Sequence, residues 1–190
     1  MINCGSKWKY YLLCDNNMAP FFFNGSTYSK LDEKNRFVLP QQMRYGLIEK
    51  GQLQFTLALG LGGSLAIYRK SDIEKIVYKF YSKQHVARYR KFFTLFFSTL
   101  HHATCDKLGR VLVPSVLKRA AAIHQEIVIV GVLNKIEVWP LEKYETDLEE
   151  FLCGKDEGLD KITAEVFALL DENVSDHGRL MGKEEEYQEI

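Results

Sequence analysis

The chain has 190 residues, 46% of them apolar and 13% aromatic, enough to bury the core of one domain or two small ones and too apolar for disorder throughout. Its 25 Lys and Arg balance 25 Asp and Glu, but residues 1–140 hold 20 basic against 9 acidic side chains, net +11, and residues 141–190 hold 5 against 16, net −11. Four cysteines stand far apart without a CxxC pair, which argues against a zinc ribbon or a disulfide scaffold and fits a reducing compartment. The longest strongly apolar run, FFTLFFSTL from Phe92 to Leu100, is too short to cross a bilayer.

The first 22 residues read as a leader. Their apolar patch YYLLC lacks a secretory h-region and a small-residue cleavage site, so the expected location is the cytoplasm. Residues 23–70 then read as the first of two repeats. LDEKNRFVLP, from Leu31 to Pro40, returns 74 positions later as CDKLGRVLVP, from Cys105 to Pro114. Setting Asp32 on Asp106 aligns Arg36 with Arg110, Phe37-Val38-Leu39 with Val111-Leu112-Val113, and Pro40 with Pro114.

Each proline leads into a short helical piece, QQMRYGLIEKG or SVLKRAAAIHQ. A β-rich run follows, Phe55 to Leu59 or Ile127 to Val130, then a glycine-containing turn, then an alternating strand, Leu65 to Tyr68 or Ile136 to Trp139. The fold class expected is therefore α+β and β-rich, a tandem duplicated βαββ-type unit with connecting and C-terminal helices.

Residues 71–101 read as the connecting, aromatic-rich helical segment. Ser71 with Glu74 is its expected capping box, and the basic stretch KQHVARYRK divides it in two. Its Phe stripe suits a core or a subunit interface. Residues 102–140 form the second repeat, 141–170 the C-terminal helices around the loop CGKDEG, and 171–190 an acidic tail expected to be flexible.

The repeated turn carries the candidate chemistry. Asp at the first position accepts hydrogen bonds from the backbone two residues on; Gly109 supplies positive φ, and Asn35 is the next best residue for it. Arg36 and Arg110 are thereby placed at the lip of a strand, where a guanidinium can fork onto guanine N7 and O6 or onto phosphate. Lys34 and Lys107 add charge, Leu108 standing where Lys34 does. The competing reading is that Asp and Arg pair within each turn and hold it shut. Recurrence in a body of net +11 favours a polyanion contact, with the acidic tail tuning it or merely keeping the chain soluble.

The sequence resembles the MraZ family of bacterial regulators associated with the division and cell wall gene cluster. The resemblance rests on LDEKNRFVLP and TCDKLGRVLVP, on FNGSTYSK before the first motif, and on IVIVGVLNKIEVWPLEKYE; it covers about Phe23 to Leu152. It implies a tandem swapped-hairpin (AbrB-like) fold, a ring-shaped homo-oligomer, nucleoid association, and binding to repeated G-rich promoter elements in double-stranded DNA, usually as a repressor of its own operon. The DNA-binding residues so implied lie in the two turns: Asp32, Lys34, Asn35, Arg36, Asp106, Lys107, Gly109 and Arg110. Departures from the family pattern are Asn35 in place of glycine, lysine at 107 rather than 108, the leader and the acidic extension. Met18 begins MAPFFFNG, a more natural start for the family, so residues 1–17 read as a misassigned start or a private extension.

The duplication also fits a ring. Two similar halves allow a head-to-tail contact that closes and lines up many copies of one turn. Weak contacts then add on a DNA carrying spaced repeats.

Enzyme motifs are missing: there is no HExxH, no GxSxG and no phosphate loop followed by Lys-Ser/Thr. LGLGGS joins two strands and reads as a hairpin turn. His101-His102 with Cys105 and Asp106 matches no standard zinc spacing, so neither a metal nor a cofactor is expected. The alternative function is a ring-forming scaffold that binds protein through the aromatic helices without specific DNA binding; a membrane-surface role is more distant.

Overall fold

The computed structural model describes residues 21–153 and 161–168; the expectations for the leader up to residue 20, most of the CGKDEG loop and the acidic tail lie outside them. The chain divides into two units, Met1–Pro140 and Leu141–Ile190.

In the first unit, the elements follow in the order β1 (Ser26–Lys30), β2 (Arg36–Val38), α1 (Gln41–Gly46), β3 (Ile48–Glu49), β4 (Gln52–Leu53), β5 (Phe55–Leu59) and β6 (Leu65–Arg69). Helices α2 (Lys70–Tyr81) and α3 (Arg90–Thr99) come next, then β7 (His101–Ala103), β8 (Arg110–Leu112), α4 (Ser115–Ala120), β9 (Glu126–Val132) and β10 (Lys135–Pro140). Six strands form one antiparallel sheet in the order β1-β9-β10-β6-β5-β7, and β2 pairs with β8 separately.

The registers carry the duplication into three dimensions. Thr27 stands opposite Ile129 and His101 opposite Leu57; Ser29 stands opposite Ile127 and Ala103 opposite Phe55. At the centre, Ile136 faces Ile67 and Val138 faces Leu65. Each half thus lends its first strand to the outer edge of the other half's hairpin, and equivalent pairs repeat about a local two-fold through Ala66 and Glu137. The β2–β8 pair has the same symmetry: Arg36 faces Leu112, Val38 faces Arg110, and Phe37 meets Val111 in the middle.

Alternation explains why these strands lie where they do. Phe37, Leu39, Val111 and Val113 are at most 1% exposed, whereas Val38 and Leu112 between them are about half exposed, so one face of the small pair enters the core. That core continues through Leu57, Ile129, Ile136 and Val138. Helices α1 and α4 start directly after Pro40 and Pro114 and bury Met43 and Leu117. LGLGGS joins β5 to β6 through a short 3-10 turn with Gly62 at φ 66° and Gly63 at φ 90°, in agreement with a hairpin connection.

Three details depart from the sequence expectation. First, Ser71 does not cap the connecting helix: α2 begins at Lys70 after Arg69 without a side-chain cap bond, and Ser71 instead directs its N–H and hydroxyl to the Glu49 carboxylate. A nearby acceptor from the preceding hairpin outcompetes the local box. Second, the helical segment ends at Thr99, and His101 already belongs to strand β7, because pairing with β5 draws it into the sheet. Third, each βαββ unit carries an additional strand ahead of its turn, β1 or β7, and the first has the short β3–β4 ladder around Lys50 (φ 51°) and Gly51 (φ 76°).

Between α2 and α3 the chain leaves the helix at Ser82 and passes through a 3-10 turn at Ala87–Tyr89. Phe80 packs its ring against those of Phe92, Phe93, Phe96 and Phe97, which closes the two helices on each other. Their outer rim stays open, with Tyr81 and Leu95 exposed. In the second unit, α5 (Leu141–Leu152) and a helix at 161–168 carry exposed Leu148 and Phe151, and Ile162 and Val166, at helical spacing.

Candidate nucleic-acid interface

The structure brings the two DxxxR turns together. In the first, the Asp32 N–H donates to the Arg36 carbonyl at 2.8 Å and the Asn35 N–H to the Asp32 carbonyl at 2.9 Å. Asp32 Oδ1 accepts the N–H groups of Lys34 and Arg36, each at 2.9 Å, while Oδ2 accepts Arg36 Nε at 2.9 Å and Nη2 at 2.7 Å. The second turn repeats the pattern: Asp106 Oδ1 accepts the N–H groups of Leu108 and Arg110 at 2.9 Å, and Oδ2 accepts Arg110 Nε at 2.7 Å. Asn35 (φ 55°) and Gly109 (φ 77°) sit in the left-handed region that closes such a turn.

The turns also clasp each other. The Asn35 carbonyl accepts the Val113 N–H at 2.9 Å and the Gly109 carbonyl accepts the Leu39 N–H at 3.0 Å, extending the β2–β8 pair at both ends. Arg36 Nη1 lies 3.9 Å from Asp106 Oδ2. These contacts hold the Asp32 carboxyl at a pKa of about 2, chiefly through the side-chain bond from Arg36 and next through the Arg36 N–H. Asp106 is held below its ordinary value as well, first by the Arg110 N–H. Arg36 is raised in turn by its bond to Asp32.

Pairing within each turn, the competing reading, is thus what the geometry has. It leaves the arginines able to act. Asp32 takes the Nε–Nη2 edge of Arg36, and Asp106 takes only Nε of Arg110, so the terminal edge of each guanidinium still carries donors suited to a second fork. The two side chains are 25% and 30% exposed, accessible but held. Lys34, Lys107 and Leu108 are exposed at the turn tips. All eight residues singled out by sequence therefore belong to one paired structure.

Two basic residues escaped the sequence reading. Lys118 of α4 donates from Nζ to Asn35 Oδ1 at 2.6 Å, and Arg44 of α1 lies against Gly109, where a Cβ would come within 2.5 Å of its Nη1. Both stand eight residues after the motif arginine of their own repeat, a spacing that the 74-residue offset made visible. Cys105, half-buried beside the second turn, has its thiol pushed up to about 11 by burial, with Arg44 opposing that shift.

His102 is occupied elsewhere, its Nδ1 paired with Thr56 Oγ1 at 2.9 Å. Among the described residues no group of three or more His, Cys, Asp or Glu could hold a metal ion, and no helix is long and apolar enough to cross a membrane.

A family model described as "MraZ protein, putative antitoxin-like" matches residues 96–167. Among curated proteins, the transcriptional regulator MraZ of Clostridium acetobutylicum is 37% identical over 125 residues, 64% of this chain and 84% of that protein. The chain belongs to the MraZ family. The transcriptional regulator MraZ of Mycoplasma mobile is 35% identical over 146 residues, 75% of this chain and 94% of that protein. That of Dictyoglomus thermophilum is 36% identical over 126 residues, covering 65% and 82%. The MraZ resemblance drawn from the two turns and their flanking segments thus agrees with similarity that covers 64–75% of the chain.

Proposed function

We propose that this protein is a sequence-specific DNA-binding transcriptional regulator that reads repeated G-rich promoter elements in double-stranded DNA with its paired DxxxR turns. The observation that carries this reading is the side-by-side placement of the turns across β2–β8, with N–H donors on Arg36 and Arg110 beyond those bonded to Asp32 and Asp106. The first 140 residues, net +11, supply the attraction to phosphate. Relatives named as transcriptional regulators support the same role.

The fold is read as a tandem swapped-hairpin (AbrB-like) unit, supported by the lending of β1 and β7 between halves. Copies assemble head to tail into a ring that lines up several turn pairs, because one bidentate contact, about 1–3 kcal/mol of discrimination, makes a poor regulator alone. The proposed setting is the cytoplasm in association with the nucleoid, and the proposed role is repression of a division and cell wall gene cluster.

A second reading, a ring-forming scaffold that binds protein, is favoured by the open rim of α2 and α3 around Tyr81 and Leu95. Titration of a fluorescent duplex carrying spaced G-rich repeats at two salt concentrations separates the two. The regulator binds, prefers the repeats over scrambled duplex and weakens as salt rises. Arg36→Ala with Arg110→Ala abolishes the preference. A protein that assembles but neither binds nor discriminates is the scaffold.

A further inference from the structure

The duplication supplies an internal comparison around the positive-φ position of each turn. In the first turn that position is Asn35, and the residue reaching it from the opposite half is Lys118; in the second it is Gly109, and the residue reaching it is Arg44. Arg44 and Lys118 occupy equivalent sites, one on α1 and one on α4. The two combinations are not interchangeable. The guanidinium of Arg44 takes the space that a Cβ on residue 109 would need, 2.5 Å from Nη1 and 2.6 Å from Cζ. Its Nε is buried without a hydrogen-bond partner, so Arg44 is held there by packing against a bare glycine rather than by a bond through that nitrogen. The slimmer ammonium tip of Lys118 leaves room for an asparagine side chain and donates to its oxygen.

Position 35 or 109 immediately precedes the motif arginine, and its carbonyl is already tied to the other half by the Val113 or Leu39 N–H. A side chain packed or bonded at the same residue further restrains the positive φ just ahead of Arg36 or Arg110, beside the bonds that Asp32 and Asp106 already make to those arginines. We propose that Asn35–Lys118 and Gly109–Arg44 are matched pairs of positioning residues, in which a basic side chain from one half sets the pose of the other half's DxxxR turn. The inference rests on the DNA-reading assignment for its consequence, since the pose of the arginine matters only if the arginine reads something. It makes the two turns of one chain mutually dependent, and it explains how the first tolerates asparagine.

Exchange of partners tests it in the full-length chain. Gly109→Asn alone is expected to displace Arg44, to speed hydrogen exchange at the Arg110 N–H, and to lower the preference for repeated G-rich duplex over scrambled duplex by at least about fivefold. Adding Arg44→Lys to that variant recreates the first turn's combination and is expected to restore both readouts. Lys118→Met, close in shape but without the ammonium, is expected to speed exchange at the Arg36 N–H and weaken the preference while the melting midpoint holds, a split that a merely structural role would not give. The inference is overturned if the double variant is no better than Gly109→Asn, or if Lys118→Met leaves exchange and preference as in the wild type. A wild type that shows no preference for the repeats removes the DNA-reading assignment instead, and the exchange data then decide the pairing by themselves.

Discussion

Phe37 stands opposite Val111 at the centre of the β2–β8 pair, and both side chains are buried, so the two halves of the chain share one core at the point where their turns meet. Removing that contact cannot unfold one half alone. Phe37→Ala is expected to cost about 3–5 kcal/mol, a large share of the stability of an ordinary domain. Chemical denaturation in a Trp8→Phe background followed by two probes, Trp139 fluorescence and far-ultraviolet circular dichroism, should give one shifted transition for both. Separate transitions would mean that the halves fold independently.

Acid should act through the first turn. The Asp32 carboxyl is held at about 2 against an ordinary 3.8, so its contribution is fully present above pH 4, where the unfolded chain is also ionised, and is lost as pH falls toward 2. The wild-type melting temperature should therefore drop more steeply between pH 4 and pH 2 than that of Asp32→Asn, which starts lower and lacks this pH dependence. Parallel curves for the two proteins would contradict the bonding described for Asp32.

How much of this was legible before the structure depends on how local each signal is. The turns were legible because Asp, the positive-φ residue and Arg are neighbours in sequence, and their recurrence at a fixed offset marked the duplication. The strand that each half lends to the other was not legible from periodicity: nothing in STYSK or HHA states whether it pairs with β5 or β9, and only the family resemblance implied an exchange. The false capping box at Ser71 failed for the same reason, since its partner, Glu49, arrives from a hairpin formed elsewhere. The equal spacing of Arg44 and Lys118 was visible, but not their partners, because each serves the other half's turn and no motif within one repeat connects them.

Thiol chemistry should separate the two cysteines in the described residues. Cys153 is exposed, whereas Cys105 is half-buried with its thiol raised to about 11. Thiolate is the reactive form, so near pH 8 iodoacetamide should label Cys153 well before Cys105. Peptide mapping by mass spectrometry at several time points reads the order. Equal rates would show that the region around Cys105 and the second turn opens freely.

The central claim is that the arginines read bases rather than merely supply charge, and lysine substitution separates the two. Arg36→Lys with Arg110→Lys keeps both positive charges and an ion pair within each turn but removes the planar fork. Duplex titrations across a salt series should then show an unchanged dependence of affinity on salt, because the charge is conserved. The preference for G-rich repeats over scrambled duplex should fall by about fivefold or more. A double variant that keeps the full preference would contradict the account, leaving Asp32 with Arg36 and Asp106 with Arg110 as structural clasps.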